Sequence, residues 1–228
     1  MSDKNIVYLR TIKSFVKRTG RITLRQQRAL INYTKFYQIP YVAKVVDFEP
    51  YYKIPQPLVV EIGFGMGDSL IKMAKNTPEI NFLGIEVYEA GVGNILDNIH
   101  ESVLGNLRII QNDAVDVFKY MITNSTLKGV QIFFPDPWHK KRHYKRRLVN
   151  PEFIKLVMQK LEFQGFIHFA TDWQNYADEV LELLNNNSDL SNFYNGFSPR
   201  PEHRPLTKFE VRGQNLGHGV WDIIVQKR

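Results

Sequence analysis

The sequence predicts an α/β fold: a mostly parallel, doubly wound sheet carrying an antiparallel strand pair near its C-terminus. Three observations support it. From Leu58 onward short apolar runs alternate with amphipathic stretches, a glycine-rich turn joins the first apolar run to a helix, and acidic residues recur where successive runs end. Alternation of this kind builds βαβ units, whose parallel strands are covered on both faces and are therefore apolar throughout.

Strands are expected at 58–62, 81–87, 107–111, 130–134 and 165–170, and helices between them at 69–75, 90–100, 114–121, 151–160 and 173–184. After these, 208–212 and 220–226 follow without a clear helix between them, which suggests an antiparallel pair closing the sheet edge. Ahead of the sheet, 24–36 reads as helical and 38–57 as a connection bearing proline and tyrosine. The expected organisation is a basic N-terminal extension and linker over 1–50, then one domain over 51–228. With 228 residues and 43% hydrophobic content, such a chain can bury a full core.

Formal net charge is +7 and the pI about 9.4, which suits nucleic acid or another acidic surface. Placement says more than the total. Arg10, Lys13, Lys17, Arg18, Arg21, Arg25 and Arg28 meet no acidic residue between them, and a second cationic run covers 140–147. A solvated basic face is the competing reading of the first set. Absence of cysteine excludes disulfides, zinc–thiolate sites and cysteine nucleophiles. The N-terminus lacks a signal-peptide apolar run, and no stretch approaches the roughly 18 apolar residues of a membrane span, so a soluble cytoplasmic protein is expected.

The first turn reads Glu61-Ile62-Gly63-Phe64-Gly65-Met66-Gly67-Asp68. Its glycines permit a tight turn and a close backbone approach to a ligand. Asp68 stands where the dinucleotide fingerprint wants its last small residue, and Glu61 adds a second negative charge. A pyrophosphate would be repelled there, whereas S-adenosylmethionine has no phosphate and carries a sulfonium cation. About twenty residues on, Glu86 ends the second strand in position to accept hydrogen bonds from ribose hydroxyls. Asp113, after the third, is placed for an adenine amino group. An isolated acid at a strand end is more often a helix cap. Three in succession, with Gly63, Gly65 and Gly67, favour a nucleoside site.

After the fourth strand comes Pro135-Asp136-Pro137-Trp138-His139, running into Lys140-Lys141-Arg142-His143-Tyr144-Lys145-Arg146-Arg147. Each proline pushes the residue before it out of helical conformation, giving a rigid turn at a strand end, where open α/β sheets bind ligands. Lys140, Arg142, Lys145, Arg146 and Arg147 are candidates for phosphate contact. Trp138 is either a stacking platform or a core aromatic. His139, His143 and His218 form no convincing metal set.

These residues resemble the class I S-adenosylmethionine-dependent methyltransferases with a Rossmann-like fold, and more narrowly the bacterial tRNA (guanine-N7)-methyltransferases. The carriers are 61–67, Gly84-Ile85-Glu86-Val87, the 135–138 corner with its basic run, Ala170-Thr171-Asp172, and the block from Arg204 to Gly213 continuing to Asp222. The resemblance implies that Glu61, Gly63, Gly65, Gly67, Glu86, Asp113 and Asp136 line a cofactor site, and that Lys140, Asp172, Thr207, Lys208, Phe209 and Glu210 meet the substrate. It implies methyl transfer from S-adenosylmethionine to N7 of a guanine in the tRNA variable loop, leaving S-adenosylhomocysteine. No metal and no obligatory protein partner are implied, and a homodimer is left open.

Guanine N7 offers a lone pair and no proton, so neither a general base nor a covalent intermediate is needed. Alignment and negative charge near the cationic product are what help, and Asp136 is the candidate catalytic residue. Asp172 or Glu210 could accept from guanine N1–H and its 2-amino group together. Three alternatives remain at this point. An exocyclic-amine methyltransferase would use a corner resembling 135–138 but with a second proline. The others are a noncatalytic RNA-binding protein and a nicotinamide-dependent oxidoreductase, the last disfavoured by Asp68.

Overall fold

The computed structural model describes residues 12–16, 20–207, 210–211 and 219–228. Seven strands form one sheet: β1 (Leu58–Ile62), β2 (Asn81–Glu86), β3 (Leu107–Gln111), β4 (Leu127–Phe133), β5 (Leu161–Thr171), β6 (Leu190–Ser191) and β7 (Trp221–Lys227). Their spatial order is β3-β2-β1-β4-β5-β7-β6, with β7 antiparallel to both neighbours and the other pairings parallel. The helices are α1 (Leu24–Tyr37), α2 (Asp68–Asn76), α3 (Glu89–Glu101), α4 (Ala114–Tyr120), α5 (Pro151–Lys160) and α6 (Gln174–Asn185). The mostly parallel sheet and the antiparallel C-terminal strands are as expected.

Strand alternation divides the core in two. Val60, Ile62, Val130 and Ile132 face a layer that includes Phe118, Ile154 and Val180, whereas Val59, Phe82 and Phe133 face Ala29, Leu70, Ile95 and Leu96. On α3, Val92, Ile95, Leu96 and Ile99 recur at helical spacing and are fully buried. Truncating Ile95 to alanine should cost about 2–5 kcal/mol. Local chemistry sets the helix starts. Asn150 accepts from the Phe153 N–H at 3.0 Å with proline at the first helical position of α5, and Thr23 and Gln26 exchange the two bonds of a capping box at the start of α1.

Two expectations are revised. The break drawn at residue 50 does not follow the packing: Ala29 and Ile39 are in the cores, and the Ile39 N–H donates to Ile109 O at 2.8 Å. Helix α1 lies against α3 so closely that a Cβ on Gly93 would sit 2.8 Å from Gln26 O. Secondly, the described part of 208–212 is not a strand paired with β7. Glu210 and Val211 are helical, and β7 pairs instead with β5 and the two-residue β6, which places it inside the sheet. Lys208, Phe209 and Arg212 lie outside the described residues.

Strand β1 pairs in parallel with both β2 and β4, and the order reverses between β1 and β4. Such a switch point opens a crevice at the carboxyl ends of the strands. Glu86 ends β2 there, and the glycine turn, Asp113 and Asp136 follow the ends of β1, β3 and β4.

Candidate active site

Gly63, Gly65 and Gly67 adopt φ of 76°, 58° and 80°, a region in which L side chains are strained. Gly67 is also packed, since a Cβ there would come within 2.7 Å of Ile95, whereas Gly63 and Gly65 have nothing within 4 Å of that position. The turn thus presents bare backbone to open space. Glu86 braces it, accepting the Gly65 N–H at 2.9 Å on one oxygen and the N–H groups of Val87 and Tyr88 at 2.6 and 3.0 Å on the other.

Two adjoining cavities, of about 240 and 670 Å³, lie over these strand ends and share Glu86 and Asp136. Gly63 and Asp113 line the smaller, Gly65 and Gln111 the larger. Asp113 caps α4 by accepting the Val115 N–H at 3.1 Å on Oδ1, meets Lys13 Nζ at 2.7 Å on Oδ2, and lines the smaller cavity. Cap and ligand acceptor are therefore compatible roles for one carboxylate.

Glu61 and Gly67 line neither cavity. Glu61 is buried beneath the turn, its Oε2 has no hydrogen-bond partner, and burial, reinforced by the charge of Glu86, pushes its carboxyl up to about 8. Burial likewise raises Glu86, with Asp136 adding a smaller push, against the pull of the three amides. A buried carboxyl whose ionisation is this costly favours a cationic neighbour, which would restore its charge. Together with the open glycine backbone, the acid cluster fits the amino, sulfonium and ribose groups of S-adenosylmethionine.

The corner after β4 is strained. Phe134 and Trp138 have φ of 51° and 49° although neither is glycine, and they flank the exposed Asp136. Phe134 is pinned by its N–H to Ala170 O at 2.8 Å. Trp138 is half-buried, donates from Nε1 to Ser14 O at 3.1 Å, and carries the Arg146 guanidinium 4.1 Å from its ring centroid. Its face is thus engaged within the chain.

The basic run forms a 3-10 helix, Lys141–Arg146, with Lys140, Arg142 and Lys145 exposed. Arg146 is shared, also donating to Lys13 O at 3.2 Å and Phe15 O at 3.4 Å. Arg147 departs from its expected phosphate role. It is 1% exposed, donates to Pro137 O and Asn175, pairs with Glu179, and lies over the rings of Tyr144 and Tyr176. The last cation of the run is a brace between corner and α6.

Asp172 is half-buried beside a separate cavity of about 270 Å³ walled by Trp173 and Trp221. Thr207 and Glu210 come together as a capping box: the Glu210 N–H donates to Thr207 Oγ1 at 3.0 Å, and Glu210 Oε2 lies 3.5 Å from Thr207 N. The spacing T-x-x-E was the available signal for it. Both Glu210 oxygens are held by Arg204, at 2.7 and 2.9 Å, so this carboxylate is not free to read a base.

Sequence reasoning placed Lys13 only in the N-terminal basic set and missed its contact with the site. Its Nζ lies 2.7 Å from Asp113 Oδ2 and 3.5 Å from Asp116, and Phe15 lines both cavities. The segment 12–16 thus covers the crevice from a sequence distance of about a hundred residues, which only the fold reveals.

Sheet order, glycine turn and strand-end acids define a class I S-adenosylmethionine-dependent methyltransferase. Residues 55–223 match the Methyltransf_4 family of methyltransferases. Solved structures share the fold at low identity: the 16S rRNA methyltransferase KamB, 13% identical with a TM-score of 0.59 over 82% of this chain and 96% of that one, and a 30S ribosomal A1408 methyltransferase from an uncultured bacterium, 15% identical with a TM-score of 0.52 over 93% and 98%. Curated relatives are nearer. The tRNA (guanine-N(7)-)-methyltransferase of Francisella philomiragia is 52% identical over all of both chains, and that of Yersinia enterocolitica 50% identical over 99% of this chain and 95% of its own. The chain belongs to the tRNA (guanine-N7)-methyltransferase family.

Proposed function

We propose that this protein transfers a methyl group from S-adenosylmethionine to N7 of a guanine in the tRNA variable loop. The observation that carries the reading is Asp136: an exposed carboxylate on a strained corner, shared by both cavities at the switch point, directly ahead of an exposed basic helix. Relatives matched over 95–100% of their own length, with about half the same residues, bear the name of this reaction.

When bound, S-adenosylmethionine supplies an electrophilic methyl on sulfur. The chain's own work is to hold the partners and to favour charge. Glu86 and Asp113 would accept from ribose and adenine. Glu61, buried beneath the glycine turn and lining neither cavity, would act from below, ionising more readily once a cationic group is bound above it. Because guanine N7 has a lone pair and no proton to lose, no side chain need act as a base. Asp136 places negative charge beside the ring as it becomes cationic, the type of fixed electrostatic help worth about 3–4 kcal/mol in other enzymes. Asp172 is the carboxylate left to accept from guanine N1–H and the 2-amino group, since Glu210 is occupied. Lys140, Arg142 and Lys145 would engage phosphates. Among the described residues no helix is long and apolar enough to cross a membrane, and the protein is read as acting on tRNA without an obligatory protein partner.

The test is methyl transfer to unmodified tRNA followed by borohydride and aniline treatment. One scission in the variable loop is the expected result. Label without scission would move the reaction to another atom, and scission elsewhere would move the address.

A further inference from the structure

Beneath the Thr207–Glu210 turn lies a charged cluster closed to solvent. Arg204 is 0% exposed, Glu210 1%, Asp222 2% and His168 1%. Arg204 grips both Glu210 oxygens and also meets Asp222, its Nη2 donating to Oδ2 at 2.8 Å and its Nε lying 2.7 Å from Oδ1. His168 Nε2 is 2.7 Å from Asp222 Oδ1. Burial holds this imidazole below its usual range despite the carboxylate, so it is neutral and donates that bond. The guanidinium also lies 5.8 and 5.7 Å from the rings of Phe133 and Phe134, within cation–π reach. Phe134 is the strained residue that launches the Asp136 corner, and Asp222 belongs to β7.

One side chain therefore touches three parts of the site that are distant in sequence: the substrate turn, the corner and the antiparallel strand. A hydrophobic group of similar size could fill the space without placing two acids in the core. Replacing a buried ion group by well-packed hydrophobic residues is often neutral or stabilising, so stability alone does not account for this one.

We propose that Arg204 is a positioning residue for methyl transfer, setting the Thr207–Glu210 turn against the Asp136 corner, with Asp222 and His168 holding the guanidinium in orientation. It touches neither tRNA nor cofactor. The proposal rests on the reading that the Thr207 turn meets tRNA. Because a planar fork holds two acids at once, charge alone is insufficient, and lysine cannot reproduce the angle between turn and corner.

The experiment compares Arg204→Lys, Glu210→Gln and Thr207→Val in the full chain, measuring kcat and KM for tRNA, cofactor affinity by titration, and Tm. Arg204→Lys should lower kcat about ten- to a hundredfold, the scale of a roughly 1 Å misplacement, with cofactor affinity and KM for tRNA little changed. Glu210→Gln keeps the capping box and one charge fewer, and should lower kcat less, in the same direction. Should Arg204→Lys fail to fold, Glu210→Gln carries the test alone. Unchanged kcat with a lower Tm in both would overturn the proposal in favour of a purely structural cluster. A raised KM at constant kcat would overturn it in favour of direct tRNA contact. If Thr207→Val changes nothing, the underlying reading of the turn fails instead, and the two failures are told apart.

Discussion

Acidic residues on the two sides of β4 are treated oppositely. Glu61, Glu86, Asp113 and Asp136 gather at the strand ends with few cations of their own: one buried oxygen is unpartnered, one acid is exposed, and Asp113 borrows Lys13 from a distant segment. Glu210 and Asp222 are both held by one fully buried arginine, with His168 hydrogen-bonded to Asp222. Charge left unsatisfied at a crevice waits for a ligand, whereas charge saturated inside the core sets shape. The basic run repeats the contrast, with Lys145 open to solvent and Arg147 enclosed.

The largest effect expected on the open side is at Asp136. Asp136→Asn should reduce kcat about 10²- to 10³-fold with little change in Tm, as measured by single-turnover methyl transfer and thermal melting. A variant with near-normal kcat would remove the carboxylate from the chemistry. Arg147 tests the enclosed side. Arg147→Met should cost roughly 2–4 kcal/mol of stability by denaturant unfolding, moderated because Glu179 is half exposed, and leave the salt dependence of tRNA binding unchanged. Lys145→Ala should do the reverse, reducing the slope of log affinity against log salt by up to about one unit with stability intact.

A smaller, pH-dependent effect is expected at Glu61. Its folded carboxyl is raised to about 8, so its contribution to stability is complete below its unfolded pKa and is lost as pH rises through the folded one. Glu61→Gln should therefore raise Tm more at pH 8 than at pH 5. Cofactor affinity should grow between pH 6 and 8, by at most about tenfold per unit, as the cost of deprotonating Glu61, whose ionised form favours a bound cation, falls away, and the substitution should flatten that profile. A flat wild-type profile would place Glu61 outside the cofactor's reach. Smallest is Lys13→Ala, which frees Asp113 from a partly exposed pair and should tighten cofactor binding about two- to fivefold in equilibrium titration. Weakened binding would show instead that the segment 12–16 helps to retain the cofactor.

The open side was legible in the sequence because its signals are local. Apolar runs mark buried parallel strands, glycines mark the turn, and Glu86 and Asp113 follow directly from where β2 and β3 end. The enclosed side was not, because burial of a charge has no sequence signature of its own. Arg147 sits in a continuous cationic run, and only the placement of Glu179 and Tyr176 on α6 separates it from Lys145. The 208–212 stretch alternates like a strand, yet the T-x-x-E spacing within 207–210 gives Glu210 a capping role that competes with strand pairing. Two residues of β6 are too few to register as a pattern.

Phe134 and Trp138 hold left-handed backbone angles that cost about 1–3 kcal/mol each, and neither is a residue at ease there. Laboratory evolution towards heat resistance would find glycine or asparagine at these positions attractive, since the gain in melting temperature would come without disturbing the sheet. The same relaxation would let the carboxylate between them wander. A screen scoring survival after heating would enrich such variants, while one scoring turnover would discard them.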